Sequence, residues 1–253
     1  VAEIIARLEG MPLAIELAAA RVPLLGVAGV RQRLGARFRV LTGGSRVAPR
    51  RHQTLRAALD WSHSLLSDDE RVVYRRLGVF VGSFSLASAQ ALVADDTTAD
   101  TTTVGTTTAG TTTAPSATNI DEWSALDHLA SLVDKSLVMA EGAPEPRYRM
   151  LESTREHALE QLAAAAETDV WLARHAQVTV AALRQGIRSR RTDLVLAETA
   201  NVRSAYEWAR GHPERAETAV AMATLPSMVL AVDGAVAEAR RRLLEVEPLV
   251  QDP

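Results

Sequence analysis

Apolar side chains recur at helical spacing along most of this chain, and that spacing restricts it to a mainly α-helical fold. One helix face is formed by residues four, seven and eleven positions apart: Leu55, Leu59, Ser62 and Leu66. Gly10 is suited to end a first helix and Pro12 to lie in the first turn of a second. A third short helix is predicted around Val27–Phe38.

Helix-start signals mark two further helices. Ser67 and Glu70 have the S-x-x-E spacing of a capping box. A second cap, at residues 119–122, precedes a helix with apolar residues Trp123, Leu126, Leu129 and Val133. Between these two starts, residues 85–94 predict another short helix.

Only one stretch has the pattern of β-strands. Residues 136–140 predict a strand, 141–146 a turn and 148–151 a return strand, with a helix following from about Ser153. Two helices, then a helix, a hairpin and a helix, is the order typical of a winged helix. From Asp169 onward the pattern is helical, with breaks predicted at residues 187–191, 211–213, 226 and 234.

Residues 95–119 differ in kind from the rest of the chain. Twelve of these 25 residues are threonine, and the run contains one valine and no larger apolar side chain. Ordering such a segment buries too little surface to offset its entropy, so we predict a disordered insert.

The chain is therefore predicted to be mainly α, with four parts. These are a small helical domain (1–45), a connector helix (46–66), a winged helix containing the threonine-rich insert (67–166) and tetratricopeptide-like helical repeats (167–253).

Composition excludes several functions. The chain lacks cysteine, carries a formal charge of −3, and has a single lysine, Lys135, among its 28 basic residues. Because no glycine precedes Lys135 at the required spacing, the chain contains no P-loop. Its six histidines show no H-E-x-x-H spacing, and His157 is predicted on the helix after the wing. We predict neither catalytic residues nor a metal site.

The chain has no signal-peptide pattern and no apolar run long enough for a membrane span. It opens in a helical pattern without an initiator methionine. We therefore expect a segment of a longer cytoplasmic protein that makes no contact with a membrane.

Five sequence blocks resemble one known family, in order along residues 1–166. They are Gly10-Met11-Pro12-Leu13-Ala14 onward to Arg21, Leu41–Ser45 with Arg51–Ser62, Leu77–Phe84, Leu132–Val138, and Tyr148–Ala158. Together they resemble the STAND-class, NB-ARC-type signalling ATPases, in their bacterial transcription-regulator branch. Residues 201–209 are similar to the start of the helical-repeat sensor of that branch.

The resemblance implies an ATP/ADP switch with Mg²⁺, whose P-loop domain would lie in cis, N-terminal to Val1. It places Gly10, Pro12 and Leu13 beside the adenine. Leu151 occupies the position of a phosphate-contacting histidine, and leucine cannot donate that hydrogen bond. A protein or small-molecule inducer would bind the repeats, and no nucleotide is expected to bind this chain tightly alone.

The third helix of the winged helix is acidic. Residues 120–134 include four acidic side chains and no arginine or lysine, which would repel a phosphate backbone. We therefore predict a regulatory segment that is not catalytic alone and in which the winged helix packs within the protein. An autonomous helical protein-interaction module and a DNA-binding winged-helix regulator are the alternatives.

Overall fold

The computed structural model describes residues 1–8, 12–19, 21–34, 55–95, 120–142, 145–232 and 234–250. Over these residues the chain forms fourteen α-helices, a short 3-10 turn and a three-stranded antiparallel sheet. The prediction of a mainly α fold is confirmed. The threonine-rich insert, apart from Asp95, lies outside the described residues.

The first four helices pack around one apolar cluster. They are α1 (Ala2–Arg7), α2 (Pro12–Ala19), α3 (Val22–Arg33) and α4 (Leu55–Ser64). The cluster is built from Ile4, Leu8, Ala14, Leu17, Ala18, Val30, Leu34, Leu55 and Leu59. Leu55 and Leu59 of the predicted stripe are thus buried in this cluster. Its third leucine, Leu66, follows the end of α4 and is buried in the core of the next unit.

Helix α3 begins earlier than the prediction of Val27–Phe38. It starts at Val22, with Pro23 in its first turn, where the missing N–H of proline costs nothing. Gly26 interrupts it with a left-handed φ of +67°, which a residue without a side chain adopts readily. Residues 35–38 of the predicted helix lie outside the described residues.

Helix α5 (Asp68–Leu77) begins at the predicted capping box. The Ser67 hydroxyl accepts from the Glu70 N–H at 3.2 Å, and the Glu70 carboxylate accepts from the Ser67 N–H at 2.7 Å. These two bonds satisfy backbone donors that a helix start would otherwise leave free.

A winged helix follows α4 and begins with α5. Its other elements are β1 (Ser83–Ser85), α6 (Leu86–Val93), α7 (Glu122–Asp134), β2 (Met139–Glu141), β3 (Arg147–Arg149) and α8 (Glu152–Ala164). Strand β3 lies in the middle of the sheet and pairs antiparallel with both neighbours, so Arg149 stands opposite Ser83 and Met139. The core beneath the sheet includes Tyr74, Leu77, Phe84, Leu92, Leu129, Leu132 and Leu162.

The wing strands are displaced from their predicted positions. The first was predicted at 136–140 and lies at 139–141, because residues 135–138 complete the end of α7. There Ser136 takes φ +57°, and the N–H groups of Ser136 and Leu137 return to carbonyls of the last turn. The return strand, predicted at 148–151, lies at 147–149, and strand β1 was not predicted.

Helix α7 does not bury Trp123, its largest side chain, which was predicted on its apolar face. Trp123 is 75% exposed, and the buried positions are Ala125, Leu129 and Leu132. Asp121 caps this helix as predicted, with its side chain accepting from the Ser124 N–H at 2.8 Å.

The remainder is helical. The helices are α9 (Thr168–Arg188), α10 (Thr192–Ala197), α11 (Thr199–Ala209), α12 (Ala216–Thr224), α13 (Ser227–Val232) and α14 (Val236–Val250), with a 3-10 turn at Pro213–Arg215. Their breaks fall where predicted, with one more at Glu198 that sequence did not indicate. Within the described ranges, no helix combines the length and apolar content needed to cross a bilayer.

Candidate functional site

The residues predicted to face a nucleotide lie at the start of α2. Pro12 is the first residue of that helix, as predicted, and Leu13 is the second. Their side chains, and Gly10 as a whole, lie outside the described part of the structure. The helix itself is anchored on its other side by Ala14, Leu17 and Ala18, which are buried. The adenine contact stays a prediction.

Leu151 lies between β3 and α8. It is the N-cap residue of α8, in an extended conformation, and its carbonyl accepts from the Arg155 N–H at 2.8 Å. The side chain of Arg155 turns back to the winged-helix core, donating to the Phe80 carbonyl at 2.8 Å. An apolar side chain at the N-cap gives this position no polar group of its own to offer a ligand.

A buried histidine on α8 joins the winged helix to the connector helix α4. His157 is 0% exposed; its Nδ1 lies 3.0 Å from the Tyr74 hydroxyl and its Nε2 3.0 Å from an Asp60 carboxylate oxygen. The Tyr74 hydroxyl is also 2.9 Å from the Thr154 carbonyl, to which it donates. Because the carboxylate of Asp60 can only accept, Nε2 of His157 carries a hydrogen and donates to it.

A second polar contact joins the same two helices. The guanidinium of Arg56, on α4, lies 2.8 Å from the Glu160 carboxylate on α8 and 3.9 Å from Asp60. His63 packs beside them, with its ring 5.4 Å from that of His157. Burial, and then the neighbouring His157, hold the pKa of His63 below its usual value. We call Asp60, His63, Tyr74 and His157 the connector cluster.

Sequence reasoning placed His157 on the correct helix but missed its partners. Asp60 is 97 residues away and Tyr74 83 residues away along the chain. No local spacing signals such a cluster, because its members come from three separate helices.

A second polar network joins the winged helix to the helices that follow it. Asn201, on α11, is fully buried, and its amide pairs with the backbone beside β1. It accepts from the Val81 N–H at 2.8 Å and donates to the Ser83 carbonyl at 3.0 Å and to the Glu198 carboxylate at 2.8 Å. The Asn201 side chain thus bonds to backbone groups of Val81 and Ser83, as a neighbouring strand would.

Arg147, on β3, reaches the same place from the sheet. Its guanidinium donates to the Glu198 carboxylate at 2.7 Å, to the Ser83 hydroxyl at 2.9 Å and to the Ser83 carbonyl at 3.0 Å. Glu198 is almost fully buried and fills the unpredicted break between α10 and α11. We call Arg147, Glu198 and Asn201, together with His175, the wing–repeat network.

His175, on α9, completes this network. Its Nε2 donates to the Asn201 side-chain oxygen at 3.3 Å, and its ring packs edge-on against Phe80 at 5.3 Å. Burial lowers the pKa of His175 to about 4, although the hydrogen bond to Asn201 opposes this effect. The imidazole is therefore neutral at pH 7.

The single lysine ends helix α7. Lys135 Nζ lies 2.5 Å from the Glu70 carboxylate, as does the Ser131 hydroxyl. Burial alone would raise the pKa of Glu70, but the hydrogen bonds from Lys135, Ser131 and the Ser67 backbone outweigh it and lower the pKa to about 2. Lys135 is therefore structural: it ties the end of α7 to the start of α5.

An apolar groove lies among the C-terminal helices, with a volume of about 560 Å³. Helices α9 and α10 form one wall, and the turn after α12 with α13 forms the other. Its apolar lining consists of Ile187, Val195, Leu196, Leu225, Met228 and Val229. Arg190 and Thr192 are the polar side chains at its edge.

The described residues hold no group of three or more histidine, aspartate or glutamate side chains placed to bind a metal ion. The polar clusters described above are joints that connect helices, and the groove has a mainly apolar lining. Both joints converge on the winged helix.

No protein-family model matches the chain, and no solved structure matches it. Among curated proteins, it is 41% identical over 221 residues to one of Mycobacterium tuberculosis (strain H37Rv) named "Putative HTH-type transcriptional regulator Rv0890c". That alignment covers 84% of this chain and 22% of the relative. A protein of Mycobacterium bovis with the same descriptive name matches equally well.

A shorter relative also matches. The chain is 40% identical over 176 residues to a protein of Mycobacterium tuberculosis named "Uncharacterized protein Rv0894", covering 69% of this chain and 39% of that protein. The chain thus spans between about a fifth and two fifths of the length of these curated relatives.

Proposed function

We propose that this chain is a regulatory segment of a longer cytoplasmic transcription regulator, and that it transmits a signal between its helical repeats and the domain preceding α1. Relatives that carry the name of transcriptional regulators and share 41% of aligned residues support the regulatory role. The observation that carries the proposal is the pair of polar joints on either side of the winged helix, each of which contains a buried histidine.

The two joints suit a segment that transmits movement. Each is formed by few side chains, and each loses its hydrogen bonds together when the helices separate. A buried polar network of this kind favours one arrangement of its elements over nearby ones, because partly satisfied alternatives leave polar groups without partners.

The finer proposal is that the parent protein is an ATP/ADP-dependent STAND-class switch. ATP or ADP with Mg²⁺ would bind the P-loop domain in cis, which supplies the phosphate site, while Gly10, Pro12 and Leu13 cover the adenine. The Leu151 side chain offers no donor to a phosphate, so at this position the family's histidine contact is not replaced by another side-chain hydrogen bond. The residues of this chain also hold the winged helix between α4 and α11.

The winged helix serves packing rather than DNA binding in this proposal. Its α7 has acidic side chains and no arginine or lysine from 122 to 134, and Trp123 is exposed on it. Cationic side chains are what a helix in the major groove uses to contact phosphates. DNA contact through the winged helix of this chain is therefore the less favoured function.

The test of the nucleotide proposal uses the full-length parent. ATP and ADP affinities are measured by equilibrium titration for the wild type, Pro12→Ala and Pro23→Ala. Both prolines lie in the first turn of a helix, so Pro23→Ala controls for a helix-start effect. We expect weaker nucleotide binding for Pro12→Ala alone, and equal affinities for all three proteins would reject the adenine role.

The regulatory role is tested separately, by comparing transcript levels in cells with the parent gene intact, deleted, and carrying Asn201→Leu. We expect the deletion and the joint variant to alter the same set of transcripts. Unchanged transcripts in the deletion strain would reject a role in transcription. Transcripts altered by the deletion but not by Asn201→Leu would leave the wing–repeat network without a signalling role.

A further inference from the structure

We propose that the groove among α9, α10, α12 and α13 binds a small amphipathic anion, a molecule with an apolar body and one anionic head. The inference rests on the proposed function in one respect, since it names the chemical class of inducer for the helical repeats. The site itself is argued from its shape, its lining and its charge.

The groove has the size and surface of a small-molecule site. Its volume of about 560 Å³ lies within the range of roughly 300–1,000 Å³ usual for ligand pockets. Six apolar side chains form its walls, and Met228 at its rim is 80% exposed. An exposed methionine beside a concave apolar surface is a flexible contact that adapts to ligand shape.

One wall of the groove is fixed by close packing of α9 on α10. A Cβ added at Gly186 would lie 2.8 Å from the Val195 side chain, so the absence of a side chain there lets the two helices approach. This wall is therefore held in place without a ligand, which lowers the entropic cost of binding.

Charge identifies the head group. The ten residues 184–193 contain four arginines and one aspartate, a net charge of +3 in a chain whose total charge is −3. Arg191 is paired with Asp193 at 2.7 Å, and Arg188 bonds to the Gln185 side chain. Of the described residues that line the groove, Arg190 is the cation and none is acidic.

A guanidinium at the edge of an apolar groove selects an anion over a neutral molecule of the same shape. Arginine binds a carboxylate or phosphate through two parallel N–H donors, and the apolar walls take the rest of the ligand out of water. The hydroxyl of Thr192, on the same edge, is available as a further donor.

The groove is connected directly to the wing–repeat network. Val195 and Leu196 line the groove, and the next two residues carry the groups to which Arg147 donates, the Ala197 carbonyl and the Glu198 carboxylate. A ligand that packs against α10 therefore shifts or fixes the helix that holds the wing. The groove and the winged helix are thus connected through a single short helix, α10.

The test measures binding to the 253-residue chain by isothermal titration calorimetry, with dodecanoate and dodecyl phosphate as anionic probes and dodecanol as the neutral one. We expect both anions to bind at least tenfold more tightly than dodecanol. Arg190→Gln should weaken the anions about tenfold and leave dodecanol unchanged. Arg184→Gln, which removes an exposed arginine of the same segment that does not line the groove, is the control.

A second variant tests the apolar body of the site. Val229→Trp fills the groove and should abolish binding of all three probes, with circular dichroism used to confirm folding. If it does not fold, Met228→Ala at the exposed rim replaces it and should weaken binding severalfold. Dodecanol binding as tightly as dodecanoate, or equal affinity in Arg190→Gln and Arg184→Gln, would overturn the proposal.

Failure of the groove and failure of the proposed function give different results. Absent probe binding with altered transcripts in the deletion strain rejects the groove as the inducer site and leaves the regulatory role standing. Probe binding lost in Arg190→Gln, with no transcript dependent on the parent gene, supports the site and rejects the regulatory role.

Discussion

The two buried histidines, His157 and His175, donate hydrogen bonds to different kinds of acceptor. His157 donates to a half-exposed carboxylate, Asp60, and so holds a contact that reaches the surface. His175 donates to the neutral amide of Asn201 inside the molecule, and burial keeps it uncharged. The first is thus a hydrogen bond to a carboxylate that links two helices, and the second a hydrogen bond to a neutral amide at a site where burial penalises a charged imidazole.

Protonation of His175 is expected to destabilise the fold in mild acid. Its pKa is about 4 in the folded protein and about 6.5 when unfolded, so below pH 6.5 the unfolded state binds more protons. The stability present above pH 6.5 is lost progressively down to about pH 4, and amounts to about 2–4 kcal/mol. The measurement is the free energy of unfolding in urea at pH 7 and pH 5.

The control for this pH effect is the exposed His212. We expect His175→Gln to have a smaller loss of stability between pH 7 and pH 5 than the wild type, and His212→Gln to behave as the wild type does. The lowered pKa of His63 acts in the same direction, so part of the slope remains in His175→Gln. Identical slopes in all three proteins would refute the assignment.

The hydroxyl of Tyr74 is expected to stabilise the connector cluster. Tyr74→Phe leaves the Thr154 carbonyl and the His157 Nδ1 without their buried partner, at a cost of about 1–3 kcal/mol. Urea unfolding measures the change. Tyr148→Phe, at a partly exposed tyrosine on β3, should change stability by less than about 0.5 kcal/mol. Equal effects would show that the cluster does not stabilise the fold.

Three helices of this protein end in the same backbone conformation. Three helices, α7, α8 and α9, end with non-glycine residues in the left-handed conformation: Ser136, Ala166 and Arg190, each with φ +57°. In each case the next two N–H groups after the cap return to carbonyls of the last turn. Glycine occupies this position in many helices, and other residues take it at a cost of about 1–2 kcal/mol.

Replacing one of these residues with glycine should therefore stabilise the protein. Ala166→Gly relieves the left-handed strain and loses some of that gain to the flexibility of the unfolded chain, for a net gain of about 0.5–1 kcal/mol. Ala165→Gly is the matched control, because Ala165 is equally exposed but has right-handed backbone angles. It should destabilise by a similar amount. Thermal unfolding of both variants tests the sign, and destabilisation by Ala166→Gly would contradict it.

Local signals in the sequence predict most elements, and the exceptions have physical causes. The capping box at Ser67 and the prolines and glycines between helices act within a few residues, so the sequence alone locates them. Residues 136–138 were predicted as strand because β-branched and apolar residues suit both a strand and a helix end. Strand β1, three residues long, is formed by pairing with β3 and has no independent pattern.

The polar joints could not be predicted, because they depend on tertiary contact. Asn201 bonds to Val81 and Ser83 about 120 residues earlier, and nothing in its own segment indicates burial of an asparagine. The groove likewise forms from four helices. The assignment of Gly10, Pro12 and Leu13 to the adenine side has another origin. It comes from a family resemblance rather than from local sequence signals, and it stays a prediction.

At the scale of the whole molecule, the winged helix lies between two sets of helices and is joined to each by a distinct contact. Toward α4 the contact is the connector cluster with the Arg56–Glu160 ion pair. Toward α11 it is the wing–repeat network. Because neither joint shares a residue with the other, a variant at one should leave the other intact.

Asn201→Leu tests this independence. The leucine is similar in volume but leaves the Val81 N–H and the His175 Nε2–H without a partner, which should cost about 2–4 kcal/mol. It also removes one of the donors to the Ser83 carbonyl and to the Glu198 carboxylate, both of which keep Arg147. Hydrogen exchange should become faster in residues 81–85 and 198–205. The core of α5 should exchange as before, because its hydrogen bonds and packing are untouched.

Glu207→Ala on the same helix supplies the comparison. Glu207 pairs with Arg210 at the exposed surface, where an ion pair contributes little, so its exchange pattern should match the wild type. Faster exchange throughout the molecule in Asn201→Leu would mean that the winged helix and the C-terminal helices unfold as one unit. Faster exchange confined to the two named segments would mean that the joint opens while both sides stay folded, as a segment that transmits a signal requires.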